Sequence, residues 1–234
     1  MKACDEQEVR DSNKKTPEEI WVTQFTEKSA LQFRQQVLEA SEAEGPDKPI
    51  TIYIDSYGGY VDSLASMLET LDEVPNPIIT VAAGKSMSCG AILLSHGDYR
   101  FCGRYARVMV HEVSSVVWGN TRTIKNDANE TIRLNRKFME LLARNCGMKG
   151  YEELKAHFKD KDADELWMGP EEALKFGIVD HIGMPKLIPL VKTSYQCAVV
   201  PAKPRISKEP EPTKKSASPA PIEKKKAKKK AESK

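Results

Sequence analysis

Two stretches of this chain share one grammar, and that grammar narrows the fold more than any other feature. Residues 50–54 form a β-branched, apolar run that ends in Asp55-Ser56-Tyr57-Gly58-Gly59; residues 78–83 form another that ends in Gly84-Lys85-Ser86-Met87-Ser88-Cys89-Gly90. Short continuous apolar runs read as buried strands, and the glycines after them as turns. A helix follows each turn. After the first, Leu64, Met67, Leu68 and Leu71 recur at helical spacing on one face; after the second, small and apolar residues run through Leu94. Strand, glycine turn and helix therefore occur twice, the pattern of an α/β domain built from ββα units.

The flanking segments extend the pattern. Residues 20–25 read as a short strand and 29–43 as a helix with Ala30, Phe33, Val37 and Ala40 on one face. Arg107–His111 reads as a strand ending on its histidine, and Thr121–Asn145 as a long amphipathic helix striped by Ile124, Ala128, Ile132, Asn135, Phe138 and Leu142. Pro170 sits near the start of a last short helix, 171–176, Gly177 stops it, and 178–182 follow as a strand.

Charge sets the boundaries. From 203 to 234 the chain carries 12 Lys/Arg against 4 Asp/Glu, leaving 24 against 30 before it, so a tail of about +8 follows a body of about −6. The Pro-, Ser-, Ala- and Lys-rich residues 201–234 have little to bury and read as disordered, residues 1–17 as a flexible leader, and 18–200 as the folded domain. A basic tail can tether an acidic partner such as nucleic acid, but the body's charge does not mark it as a nucleic-acid binder. Five cysteines without a C-x-x-C pair point to neither a disulfide framework nor a zinc site. With no run of 18 apolar residues, no membrane partner is expected and the cytoplasm is the expected location.

Acyl transfer by a serine needs a base in contact with the hydroxyl, an acid orienting the base, and two N–H donors for the oxyanion. The chain offers a candidate for each role. Ser88 lies at a strand-to-helix turn where the Cys89 N–H begins a helix, and Gly58-Gly59 ends a different strand, where a residue without Cβ lets the backbone come close to a substrate.

These residues resemble the ClpP-type serine peptidases, the proteolytic subunits of the Clp protease. Ser56-Tyr57-Gly58-Gly59 is similar to that family's S-P-G-G, and Gly84-Lys85-Ser86-Met87-Ser88-Cys89-Gly90-Ala91 to its G-x-A-A-S-M-G-A nucleophile turn. Arg107-Val108-Met109-Val110-His111 resembles R-V-M-I-H, and the segment from Pro170 to Asp180 resembles A-x-E-A-x-x-Y-G-L-V-D, in the family's order over roughly residues 20–182. The resemblance implies a ClpP/crotonase-like spiral of ββα units with a long interlocking helix. By it Ser88 is the nucleophile, His111 the base, and the amides of Gly59 and Cys89 the oxyanion donors. Counting back from Pro170 puts the acid on Glu165, with Asp164 one residue away as the alternative.

The implied activity is that of an ATP-dependent endopeptidase acting on unfolded proteins or peptides, without metal or cofactor, as a ring-shaped homo-oligomer that a Clp-type ATPase can serve. The unusual ends mark a divergent, phage-type or otherwise specialised member. Within the nucleophile turn Ser86 is a rival for Ser88, and Lys85 an alternative base. Two other functions fit parts of the pattern: a crotonase-like acyl-CoA enzyme, which would need neither Ser88 nor His111, and an inactive ring scaffold.

Overall fold

The computed structural model describes residues 19–160 and 164–187; the expected leader, the basic tail and the last residues of the expected domain lie outside them. Along the chain come β1 (Ile20–Val22), α1 (Glu27–Glu44), β2 (Ile50–Ser56), α2 (Val61–Glu73), β3 (Ile78–Met87), α3 (Cys89–Ser95), β4 (Tyr99–Cys102) and β5 (Arg107–His111). They are followed by α4 (Thr121–Asn145), α5 (Tyr151–Asp160), β6 (Glu165–Met168), α6 (Pro170–Phe176) and β7 (His181–Ile182). No helix among the described residues is long and apolar enough to cross a membrane.

The strands β1, β2, β3, β4 and β7 lie side by side, all parallel. The ten residues of β3 are the pivot. Along one edge β3 pairs with β2; along the other its first half pairs with β4 (Ile79↔Tyr99 to Ala82↔Cys102) and its second half with β5 (Lys85↔Arg107 to Met87↔Met109). The sheet thus turns away from its first plane at Ala83–Gly84. β6 then closes on β5 as the antiparallel pair, with His111 opposite Glu165.

Local chemistry explains the helix ends that frame this sheet. Thr26 and Ser29 form a reciprocal cap at the start of α1: Thr26 Oγ1 accepts from the Ser29 N–H at 3.2 Å and Ser29 Oγ accepts from the Thr26 N–H at 2.8 Å. Pro170 opens α6, and Gly177 ends it in the left-handed region at φ 85°, where a Cβ would also lie 2.7 Å from the Cys146 carbonyl. Leu64, Met67, Leu68 and Leu71 are all buried, as their spacing predicts, each contributing about 1.5–3 kcal/mol.

Several expectations need correction. The segment 84–87 is not part of the turn; it continues β3, and the turn begins only at Ser88. The strand expected over 178–182 shrinks to His181–Ile182. The acid-rich stretch before Pro170 contains a strand, β6, and neither it nor β4 nor α5 had been anticipated. The stripe of α4 is only half packed within the subunit: Phe138 and Leu142 are buried, whereas Ile124 and Ile132 are 47% and 66% exposed.

Candidate active site

The second half of β3 delivers Ser88 to the start of α3 in an unusual backbone conformation. Its φ of 55° and ψ of −120° make it the one non-glycine with positive φ among the described residues, a geometry that costs about 1–3 kcal/mol and persists only where neighbours enforce it. Two hydrogen bonds do so here. The Ser88 N–H donates to the Met109 carbonyl at 2.9 Å, and the Ser88 carbonyl accepts from Ala91 N–H at 3.0 Å. The parallel register of β3 and β5 then carries His111, two residues beyond Met109, to the same point. Its Nε2 lies 2.8 Å from Ser88 Oγ. For the hydroxyl to donate to Nε2, the imidazole proton must sit on Nδ1.

The glycine turn after β2 comes against the same hydroxyl. A Cβ built on Gly58 would stand 2.7 Å from Ser88 Cβ and 3.1 Å from Ser88 Oγ, so only glycine permits this approach, and its φ of 104° makes the same demand. Gly58 N–H donates to Ser56 Oγ at 3.1 Å, and Tyr60 N–H to the Phe25 carbonyl at 2.9 Å. Between them the Gly59 N–H is bonded to no backbone carbonyl among the described residues, and neither is the Cys89 N–H at the start of α3. The Cys89 thiol donates to the Gly59 carbonyl at 3.3 Å, and burial pushes its pKa up, so it remains protonated at neutral pH.

The rivals at the end of β3 are engaged elsewhere. Ser86 is fully buried and its hydroxyl donates to the Gly90 carbonyl at 2.8 Å. Lys85 Nζ is paired to Asp55 Oδ1 at 2.8 Å and lies over the Tyr57 ring, while the same Asp55 oxygen accepts from the Lys85 N–H at 3.2 Å. Asp55 thus ties down the irregularity between β2 and β3, a role that its position before Ser56 did not reveal.

Around His111 the structure is more open. His111 and Glu165 are directly opposed on β5 and β6, so their side chains share one face, but Glu165 Oε2 accepts from Trp167 Nε1 at 2.8 Å. Among the described residues the hydrogen-bond partner of the His111 ring is Ser88. Asp164 is exposed just before β6 and, with Glu165, His111 and Lys155, lines an open cavity of about 670 Å³. Beyond His111 the chain is anchored by a network that the sequence did not disclose. Val113 N–H donates to Asn135 Oδ1 at 3.0 Å, Asn135 Nδ2 to Tyr151 Oη at 3.0 Å, and the Tyr151 hydroxyl to Glu112. Burial, with Glu112 beside it, pushes the Tyr151 pKa up to about 12. Asn135 lay on the expected α4 stripe, but nothing in the sequence paired it with Tyr151.

A comparison with known families bears on this arrangement. The Clp protease family model matches residues 15–186, which takes in every element from β1 to β7 and both glycine turns. It favours this family over the acyl-CoA enzymes that share the ββα spiral. By that match, over most of its length, the chain belongs to the Clp protease family, a family of peptidases.

Proposed function

We propose that the chain is a serine endopeptidase that hydrolyses peptide bonds in unfolded proteins or short peptides through an acyl-enzyme on Ser88. The observation that carries this reading is the 2.8 Å contact between Ser88 Oγ and His111 Nε2, beside two amides that are bonded to no backbone carbonyl among the described residues. In the first half-reaction Ser88 Oγ bonds to the scissile carbonyl carbon as its proton passes to His111 Nε2, and the oxyanion is held by the N–H groups of Gly59 and Cys89. Collapse breaks the C–N bond, and His111 returns the proton to the departing amine. Water, deprotonated by His111, then attacks the ester, freeing the acid product and Ser88.

Glu165 is the residue we assign as acid, since it faces His111 across the β5–β6 ladder; this role requires its carboxylate, now bonded to Trp167 through Oε2, to accept from Nδ1 as well. Members of the family form oligomeric rings, and we extend this to the present chain, with the exposed first half of α4 available for subunit contacts. A Clp-type ATPase is the partner class that would deliver unfolded chains to such a ring. The test is peptide turnover and fluorophosphonate labelling of the purified oligomer. Ser88→Ala should abolish labelling and lower turnover by about a thousandfold or more, whereas Ser86→Ala should still label. Equal, slow turnover by wild type and Ser88→Ala would assign the chain to the inactive scaffolds, and labelling that survives Ser88→Ala would remove Ser88 from the mechanism.

A further inference from the structure

The Gly58-Gly59 turn has a mechanical weakness. The peptide unit between the two glycines carries the Gly59 N–H at one end and the Gly58 carbonyl at the other. Compensating rotations about ψ of Gly58 and φ of Gly59 would exchange the two, and glycine offers little steric resistance to either rotation. A flipped unit would present a carbonyl oxygen, not a donor, to a developing oxyanion. What resists the flip is the parallel bridge between Phe25 and Gly59, in which this unit itself takes part, together with the fixing of the peptide units on either side. On the upstream side, Gly58 N–H is bonded to Ser56 Oγ at 3.1 Å. On the downstream side, the unit joining Gly59 to Tyr60 is held at both ends: its N–H by the Phe25 carbonyl at 2.9 Å, and its carbonyl by the Cys89 thiol at 3.3 Å.

We propose that Cys89 is a positioning residue for the oxyanion site, its S–H bond to the Gly59 carbonyl holding the glycine turn in the orientation that presents the Gly59 N–H. The inference rests on the peptidase reading above. Cys89 is suited to the task by its place in the fold. As the first residue of α3, itself 2% exposed, it begins the helix with its own N–H while its thiol reaches across to the other turn. One residue therefore supplies one donor and orients the second. A thiol is a weak donor, but burial keeps it protonated and leaves it the Gly59 carbonyl as partner.

The test uses the full-length oligomer and three proteins: wild type, Cys89→Ala and Cys89→Ser. Serine restores a donor at this position and alanine does not. Steady-state cleavage of a fluorogenic peptide should show kcat falling about tenfold in Cys89→Ala with KM little changed, because the lost interaction matters where the oxyanion forms, and Cys89→Ser should recover most of the loss. Affinity for a peptide aldehyde, whose hemiacetal oxygen occupies the oxyanion position, should fall and recover in parallel. Amide hydrogen exchange of the peptide spanning 57–60 gives a readout independent of turnover: it should quicken in Cys89→Ala and return towards wild type in Cys89→Ser. Unchanged kcat and unchanged exchange in Cys89→Ala would overturn the proposal, as would a serine variant as impaired as alanine at equal thermal stability. A wild type that neither cleaves peptide nor labels with fluorophosphonate would instead overturn the peptidase reading, while the exchange measurement would still report whether the thiol holds the turn.

Discussion

The two sides of the candidate site are built to different standards of rigidity. On the nucleophile side, β2 and β3 lie in the parallel sheet and their turns are crossed by short contacts: Ser88 to Met109, Ser86 to Gly90, Asp55 to Lys85, Cys89 to Gly59. On the base side, β5 and β6 pair only at the margin of the sheet. His111 is partly exposed there, and the carboxylate facing it is bonded to Trp167. The difference teaches that the groups that would need fixed geometry before any substrate arrives, namely the proposed nucleophile and amides, have been locked in place by packing. The proposed acid, Glu165, is held only by the orientation of one flexible side chain.

Adding a methyl group at the tightest point of the rigid side should break it with the largest effect. Gly58→Ala places a Cβ 2.7 Å from Ser88 Cβ and forces alanine to φ 104°, so Ser88 or the turn must move. We expect peptide turnover to fall by about a hundredfold or more, because small displacements of reacting groups are expensive, with a stability loss of about 1–3 kcal/mol from the strained backbone. Turnover assays and chemical denaturation of the same preparation check both. An active Gly58→Ala would mean that the contact between the glycine turn and Ser88 is dispensable.

A smaller loss is expected on the open side. Glu165→Gln should lower kcat by about tenfold to a hundredfold, less than the roughly ten-thousandfold known for an acid rigidly bonded to its histidine, and Asp164→Asn should stay close to wild type. The opposite ranking would move the acid to Asp164. Trp167→Phe sharpens the point, since it removes the donor that now holds Glu165 Oε2. If that bond competes with His111 for the carboxylate, kcat should rise by about twofold, within what one surface hydrogen bond can supply.

The same contrast governs what was legible in the sequence. The strands with long β-branched runs and the glycine turns after them were readable because burial leaves an apolar signal and a tight turn leaves a glycine. Ser88 and His111 followed from the turn and from the strand that ends on a histidine. β6 was not readable: Glu165–Met168 is four residues long, its alternation of exposed and buried positions is too brief to register as a period, and its first residue belongs to an acid-rich stretch. β4 failed for a similar reason, with Arg100 in the middle of Tyr99–Cys102. Segment 84–87 looked like a turn because Gly84 and Lys85 interrupt the apolar run, yet the strand continues there through pairing with β5, a tertiary effect that local propensity does not contain. Nor could Tyr151 be tied to Glu112 beforehand, since their contact spans 39 positions.

The smallest predicted effect concerns the anchor of the open side to the sheet. Arg100 on β4 donates through Nε to Asp180 Oδ2 at 2.9 Å, and through Nη1 to the carbonyls of Asn145 at 2.7 Å and Gly177 at 3.0 Å. It thereby joins the ends of α4 and α6, the helices that follow β5 and β6. The hydrogen bonds from Arg100 hold the Asp180 carboxyl below the usual carboxylate range, burial opposing them only in part. A carboxyl with a lowered folded pKa binds its proton more readily in the unfolded chain. Its stabilisation is therefore complete above the unfolded pKa, about 3.9, and is lost as pH falls through the folded value. Because Asp180 is partly exposed and screened by solvent, the contribution is on the order of 1 kcal/mol. Thermal melts of wild type and Asp180→Asn should therefore differ by a few degrees at neutral pH and converge as the solution is made acid enough to protonate the folded carboxyl. Other carboxylates titrate in both proteins and cancel in the difference. A gap that persisted unchanged into acid would show that Asp180 acts through packing and not through its charge.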